Sequence, residues 1–464
     1  MTKTALLAAA IALAATGASA QVSRQPRATL IRGATVLTVT RGTLTNTDLL
    51  LQNGKIAAIG SGLTAPAGAT IIDATGKFVM PGIIDPHSHL MVDAINEGSL
   101  SVTSMTRIED VLNPTSIGIY RALAGGVTTI NILHGSANTI GGQNATVKLK
   151  YGRPSSEMVF AGAPPGIKFA LGENVTRKNS NTVVVQGQPP APRRYPTSRM
   201  GQAEVLRDAF TRARDYQAGW TEYRTKSRSD RTLLAPRRDL ELEPLVEVLE
   251  GKRLVHAHAY RSDEMLMLLN LADEFGFKIK TLQHGLEGYK IAPEIARHGA
   301  GLSSFADSWS YKIEAYDAIP YNVAILIRNG VVATINSDSD ERIRRLNIDA
   351  AKMMRYGGLT EDEALKTITY NGAVQLGVQE RVGSIEVGKD ADVAIWSGHP
   401  LSVYSRVDAT LINGEVFFDR ASDGTQREQL GRERAELEKA EPNVVPAAGR
   451  TGRGAATTPS QEQR

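Results

Sequence analysis

From Thr29 to Val79 apolar residues recur in short alternating runs, TLIRGATVLTV, DLLLQNGKIAAIG and ATIIDATGKFVM, separated by turn residues such as Asn53-Gly54. Alternation with period two marks strands that bury one face, so the stretch predicts a small β unit. The same texture returns between Gly383 and Asp419, in GSIEVGKDADVAIWS and VDATLINGEVFFD. The two ends are therefore expected to complete one composite β-sandwich domain, 28–80 plus 380–420. Between them the rhythm changes. Apolar runs that end in polar residues (GIIDPHSH, VTTINIL, MVFAGA, IKFAL, RLVHAH, IKTLQHG, GAGLSSF, VVATINSDSD) alternate with helix-like stretches at Arg107 to Ala124, Glu204 to Thr225, Ser262 to Phe275 and Asn347 to Tyr356. About eight strand–helix units in roughly 300 residues suit an α/β fold, a (β/α)8 barrel over 81–379, whose chemistry sits at the C-terminal ends of the strands.

The chain ends read differently again. Residues 1–20 carry Lys3, an apolar run from Ala5 to Ala15 and a terminal Ala18-Ser19-Ala20. That is the form of a cleaved signal peptide, too short to span a membrane, so a periplasmic or secreted protein without a membrane anchor is expected. Residues 421–464 are first charged, then rich in Pro, Ala, Gly and Gln, which predicts a short surface helix followed by a disordered tail. With 42% hydrophobic and 22% charged residues, the chain as a whole is a globular protein. Zero cysteines exclude disulfides, thiolate metal sites and a cysteine nucleophile. A net charge of +4, or +3 without Lys3, gives no reason to expect nucleic acid.

Five of the eight histidines occupy apparent strand ends: His87 and His89 in PGIIDPHSHL, His256 and His258 in RLVHAHAY, and His284 in KTLQHG. Two histidines two apart on an extended segment project to the same side and can reach one ion. Asp338 closes TINSDSD at the last candidate strand, where a carboxylate can bind a metal or take a proton. His134 follows the second strand. The Gly135 to Ala145 loop, GSANTIGGQNA, offers amide side chains such as Gln143 for a substrate carbonyl or carboxylate, but lacks the context of a nucleotide-binding loop. Tyr289 in HGLEGY is a further candidate substrate contact, whereas His298 and His399 are assigned to the surface. The long insertion Asn174 to Arg238 is basic, with Arg177, Lys178, Arg193, Arg194, Arg199, Arg228 and Arg231. It reads as a solvated loop that favours an anionic substrate if it faces the site, and it has no aromatic cluster to stack single-stranded nucleic acid.

From Thr29 to Asp419 the sequence resembles the amidohydrolase superfamily, through PGIIDPHSHL, the strand-end histidines, Asp338 and the closing GSIEVGKDADVAIW. Within it, PGIKFALGEN, VHAHAYRSDE, LQHGLEGY and INSDSDE are most similar to the imidazolonepropionase-related exported amidohydrolases. The resemblance implies a distorted TIM barrel with a split β-sandwich. It also implies a site of one or two divalent ions, zinc first, with His87 and His89 as first-strand ligands, His284 as the sixth-strand ligand and Asp338 as eighth-strand ligand and proton shuttle. The fifth-strand ligand is His256 or His258; His256 is favoured, which leaves His258 a second-shell or substrate-contact role. Lys168 falls where some members carry a carbamylated lysine bridging two metals, with Glu173 as the local alternative.

The expected activity is hydrolysis of a C–N bond, in an amide, cyclic amide, N-acyl amino acid or short peptide, by metal-activated water. The alternatives are a deaminase or an ester or lactone hydrolase on the same scaffold, or a catalytically silent binding homologue. The expected partner is a small-molecule or short-peptide substrate, and a homo-oligomer is left open.

Overall fold

The computed structural model describes residues 28–177 and 194–440. The expected signal peptide, Lys178 and Arg193 of the basic insertion, and the chain beyond 440 lie outside the described residues.

Both ends of the described chain contribute to one eight-stranded sheet. Its strands are β1 (Thr29–Leu37), β2 (Thr43–Gln52), β3 (Lys55–Gly60), β4 (Thr70–Asp73) and β5 (Phe78–Pro81) from the front, and three strands from the back whose ranges follow below. The β2–β3 turn is Asn53-Gly54, with φ of 54° and 76°. These positive angles at both central residues match the twist of the flanking strands. The sheet path forks at β1, which pairs with β2, β4 and β5. The unit is thus one continuous, branched sheet rather than two separate sheets, wrapped on a core that includes Ile31, Leu49, Leu51, Val79, Ile385 and Val393.

The second sheet is a nearly closed barrel of eight strands: β6 (Ile83–Ser88), β7 (Val127–Ile132), β8 (Ile140–Lys148), β9 (Gly166–Ala170), β10 (Leu254–Ala259), β11 (Ile279–His284), β12 (Gly301–Ser304) and β13 (Ala333–Ile335). The chain then returns to the first sheet through β14 (Val393–Trp396), β15 (Val407–Ile412) and β16 (Glu415–Asp419). Seven barrel strands run parallel; β8 is antiparallel to both neighbours. Two expectations are corrected here. MVFAGA is not a strand: its Met158 ends a single helical turn, Ser155–Met158, and the rest is loop with one isolated bridge, Val159 to Val147. The third strand comes instead from the segment expected to be the loop GSANTIGGQNA. Its glycines read as turn residues, yet they serve close approach: a Cβ on Gly141 would lie 2.6 Å from the His134 ring, and one on Gly142 2.5 Å from Thr106 Oγ1.

No ladder joins β13 to β6. The segment 367–368 spans that seam instead, with Thr367 and Ile368 carbonyls accepting from Ile335 and Ile84. Helix Ser262–Phe275 falls where the apolar spacing predicts it, and Arg199–Lys226 extends the expected Glu204 to Thr225 helix. The first half of the latter buries Val205, Leu206, Ala209 and Phe210, and Phe210 stacks on Phe277 at 4.4 Å. The expected Arg107 to Ala124 helix is broken into Ile108–Val111 and Ile117–Leu123, because Pro114 disfavours helical geometry at Asn113. Arg420–Ala440 is a mostly exposed helix. Among the described residues no helix is long and apolar enough to cross a membrane.

Candidate active site

The strand ends carry the chemistry. His87, at the end of β6, turns Nδ1 toward Gln283 Oε1 at 3.1 Å, and His89 turns Nδ1 toward the Leu133 carbonyl at 2.9 Å. Because an oxygen acceptor must be met by a proton, both rings carry it on Nδ1 and present the Nε2 lone pair to the centre. There the two Nε2 atoms lie 3.4 and 3.1 Å from Asp338 Oδ1. His284 completes the group, its Nε2 3.8 Å from Asp338 Oδ2.

Backbone strain puts two of these side chains in place. His284 has φ of 70° and Asp338 of 44°, left-handed values that cost a non-glycine residue about 1–2 kcal/mol. In regular extension His284 would point to the opposite face from Gln283. The left-handed turn brings its ring back, 4.6 Å from the His87 ring and 4.8 Å from that of His258. Asp338 is held by its N–H, which donates to the His87 carbonyl at 3.2 Å. Below it Asp85 accepts from Ser337 Oγ at 2.5 Å and from the N–H groups of Ser337 and His87 at 3.2 Å. Burial pushes the Asp85 carboxyl up to about 7 against those hydrogen bonds.

On β10 His256 and His258 face the interior, one step apart. His258 is the outer one, fully buried, and neither ring nitrogen has a hydrogen-bond partner. His256 sits deeper, level with Lys168 on β9, and its Nδ1 lies 3.5 Å from Gln283 Nε2. Lys168 is fully buried; its ammonium donates to the His134 carbonyl at 3.2 Å, and burial lowers its pKa to about 8 against the pull of Asp338. Burial, assisted by the Lys168 charge, lowers His256 and His284 to about 3 and His87 and His258 well below the usual imidazole value. All four are neutral near pH 7, the form in which imidazole binds metal. Burial also acts to raise the Asp338 carboxyl, but its polar surroundings, the buried Lys168 ammonium among them, override it and hold it below its ordinary value.

The comparisons decide the family. Residues 78–420 match the model of the Amidohydrolase family. The chain belongs to that family. Amidohydrolase tasK of Hapsidospora irregularis is 31% identical over 80% of this chain, which spans 40% of the length of that relative. The imidazolonepropionase of Vibrio cholerae is 25% identical over 80% of this chain and 93% of its own. A solved amidohydrolase from Thermotoga maritima superposes with a TM-score of 0.76 at 34% identity, over 84% of this chain and all of the other.

The donor set in this amidohydrolase suits a divalent cation. Ligand atoms of His87, His284 and Asp338 all lie within 4.8 Å of one another. The Nε2 atoms of His87 and His89 are pre-aimed by their Nδ1 partners, and His258 offers two buried nitrogens that nothing in the described protein satisfies. Neutral imidazoles around a carboxylate are the ligands such an ion takes.

Other expected residues stand elsewhere. His134 has both ring nitrogens engaged, Nδ1–H donating to the Gly135 carbonyl and Nε2 accepting from the Glu97 N–H, so its ring has no atom left for substrate; its carbonyl is the part that meets Lys168. Gln143 donates to the Ser104 carbonyl and lines a 240 Å3 cavity with Pro164, Pro165 and Arg253, at the N-terminal ends of β9 and β10, away from the histidines. Tyr289 donates its hydroxyl to the Asp317 carbonyl in an exposed loop. Glu173 gives its backbone N–H to Glu314 Oε1. His298, expected on the surface, is buried and accepts from the Ile279 N–H.

Several site residues had no signal in the sequence. Tyr260 and Phe305 stack on the His284 ring at 5.3 and 4.8 Å, and Tyr311 donates to the Tyr260 hydroxyl at 2.6 Å. The aspartate of IIDPHSH, Asp85, was the one that spacing offered, two residues before the first histidine. A 730 Å3 cavity opens onto Asp338 from the loops after β12 and β13, with Phe305, Trp309 and Tyr311 among its walls.

Proposed function

We propose that the protein is a metal-dependent hydrolase of C–N bonds in small amides, cyclic amides, N-acyl amino acids or short peptides. The observation that carries this reading is the convergence of His87, His89 and His284 on Asp338, with His258 against the His284 ring, at the strand ends of an amidohydrolase-family barrel and beside a 730 Å3 cavity that Asp338 lines. The names of the relatives that run along most of the chain, an amidohydrolase and an imidazolonepropionase, support it. Cavities of this size take small ligands of drug or dipeptide scale.

His87, His89, His284 and Asp338 would hold the ion. His258, rather than His256, is proposed as the fifth-strand ligand, because its nitrogens are unengaged and its ring adjoins His284, whereas His256 is turned toward Gln283. Lys168, modified as a carbamate, would supply the bridge for a second ion. A bound divalent ion lowers the pKa of water from 15.7 to about 7 and polarises a carbonyl. The chain supplies the rest. Asp338, held below the ordinary carboxyl range, takes the proton of the attacking water and passes it to the leaving nitrogen. The tethers of His87 and His89 keep their rings fixed while this happens, and the aromatic wall of the cavity shields the reacting carbon from bulk water.

Protein loaded with zinc should hydrolyse members of a panel of dipeptides, N-acyl amino acids, lactams and imidazolones, and a chelator should abolish that turnover. Full activity in metal-free protein would refute the reading, and turnover confined to added esters or to added amino-substituted heterocycles, with release of alcohol or ammonia beside the second product, would shift it to an esterase or deaminase. The reading includes export: protein from the native host is expected to have the mass of a chain beginning at Gln21.

A further inference from the structure

The cavity over Asp338 contains more charge than the reaction needs, and nearly all of it is internally balanced. Arg342 donates to Asp349 at 3.2 Å, to Ser308 at 2.9 Å and to Asp307, while Lys352 reaches Asp307 and Asp349 at 2.6 and 2.7 Å. Two cations thus meet two carboxylates in a closed set. Glu341, on the same wall, faces outward to Arg344 and Arg121. That leaves Arg345. It is exposed and lines the same cavity as Asp338, and among the described residues it has no ion pair and no hydrogen bond.

We infer that Arg345 is a carboxylate-binding residue of the substrate site, so that the protein prefers substrates that carry a free carboxylate beside the scissile amide. The inference rests on the hydrolase reading of the same cavity. Arg345 ends a tight helical turn, Arg342–Arg345, which begins four residues after Asp338. The Arg342 set anchors that turn to the loop after β12, so the backbone from which Arg345 extends is held relative to the reacting centre, and a bound carboxylate would fix its guanidinium. A planar guanidinium with five donors suits a carboxylate bidentately. Phe305, Trp309 and Tyr311 give the same cavity an aromatic lining. An apolar or aromatic group on the acyl side and an anionic group on the amine side would satisfy both. An uncharged lactam would leave Arg345 without a partner.

The test uses N-benzoylglycine and N-benzoylglycinamide, which differ only in that carboxylate, as ligands and as substrates of the full-length, zinc-loaded protein. Calorimetry is expected to show the acid binding roughly tenfold or more tighter than the amide, and Arg345→Met should erase that preference while leaving amide binding unchanged. Arg344→Met, outside the cavity, should change neither. Equal binding of acid and amide by the unsubstituted protein, binding of neither, or a preference that survives Arg345→Met would overturn the inference. Turnover is read separately: a carboxylate preference in binding with no hydrolysis of either compound leaves the subsite standing and counts against the hydrolase reading alone.

Discussion

The two histidines of β10 provide a sharp discrimination, since the sequence offers both and the structure separates them. His258 touches the His284 ring at 4.8 Å and has no hydrogen-bond partner on either nitrogen, whereas His256 acts through one side chain, Gln283, whose Oε1 receives the His87 Nδ1–H at 3.1 Å. Removing a direct ligand forfeits its share of the ion's binding energy. An ion held by about 10–16 kcal/mol across five ligands gives each about 2–3 kcal/mol, roughly thirtyfold to two-hundredfold in affinity, and its loss also leaves an open position in the shell. Removing a residue that only orients a ligand costs about 10–100-fold. His258→Gln, which keeps volume and polarity in a buried position, is therefore expected to be purified without metal and to need about a hundredfold higher free zinc for half-saturation, a larger loss than that of His256→Gln. His256→Gln should refill at moderate zinc with a loss inside the 10–100-fold window.

The assay is zinc titration against a chromogenic chelator, with elemental analysis, and with circular dichroism to verify that both variants are folded. The reverse ranking, metal lost in His256→Gln and kept in His258→Gln, would refute the assignment. Equal and small losses in both would refute the premise that β10 supplies a ligand at all.

Other predictions test separate parts of the structure. At a pKa of about 8 roughly one Lys168 in ten is a neutral amine at pH 7, against about one in three thousand for an unperturbed lysine, so carbon dioxide should add to it readily. Labelled bicarbonate should give a carbamate carbon signal that Lys168→Ala lacks, together with the loss of one metal equivalent; a free amine in active, metal-replete protein would exclude the bridge. Metal-free protein should lose stability as pH falls below about 6.5. His87, His256, His258 and His284 have folded pKa values far below that of an unfolded histidine, so the unfolded chain binds more protons in that window. Chemical denaturation midpoints that stay flat from pH 7 to 5 would contradict their buried, neutral state. Asp390 joins the two sheets by accepting from Lys55, Lys148 and Arg381 at 2.5, 2.7 and 2.7 Å. Asp390→Asn should cost about 3 kcal/mol, the lower end for breaking a buried pair because Lys55 and Arg381 are each 42% exposed; less than 1 kcal/mol by urea unfolding would show that Asp392 alone suffices for Lys148.

What the sequence could disclose was the set of donors, because histidines at the polar ends of apolar runs have a fixed direction once the run is a strand. What it could not disclose depends on contacts made across the barrel. The strand β8 hid in a glycine-rich segment whose glycines make room for His134 and Thr106, a reason invisible without those neighbours. Gln283 determines which β10 histidine is engaged, and a glutamine between Leu282 and His284 has no distinctive pattern. The inward turn of His284 is a left-handed backbone state that no residue type at that position announces. Tyr289 and Gln143 looked suited to substrate on chemistry alone, but hydrogen bonds to Asp317 and Ser104 hold them elsewhere.

The strain at Asp338 is sustained where β13 meets β6 without a ladder, and beside the 367–368 segment the contacts that close this seam are those of the site: Asp338 N–H on the His87 carbonyl, and Ser337 on Asp85. Closure of the barrel and alignment of Asp338 with His87 and His89 are therefore one event. A chain whose last strand is undocked has its histidines but lacks the carboxylate to gather them. The Asp85 carboxyl buried beneath the seam is the hinge of that coupling, because it holds both strand ends at once: the His87 N–H from β6 and Ser337 from beyond β13.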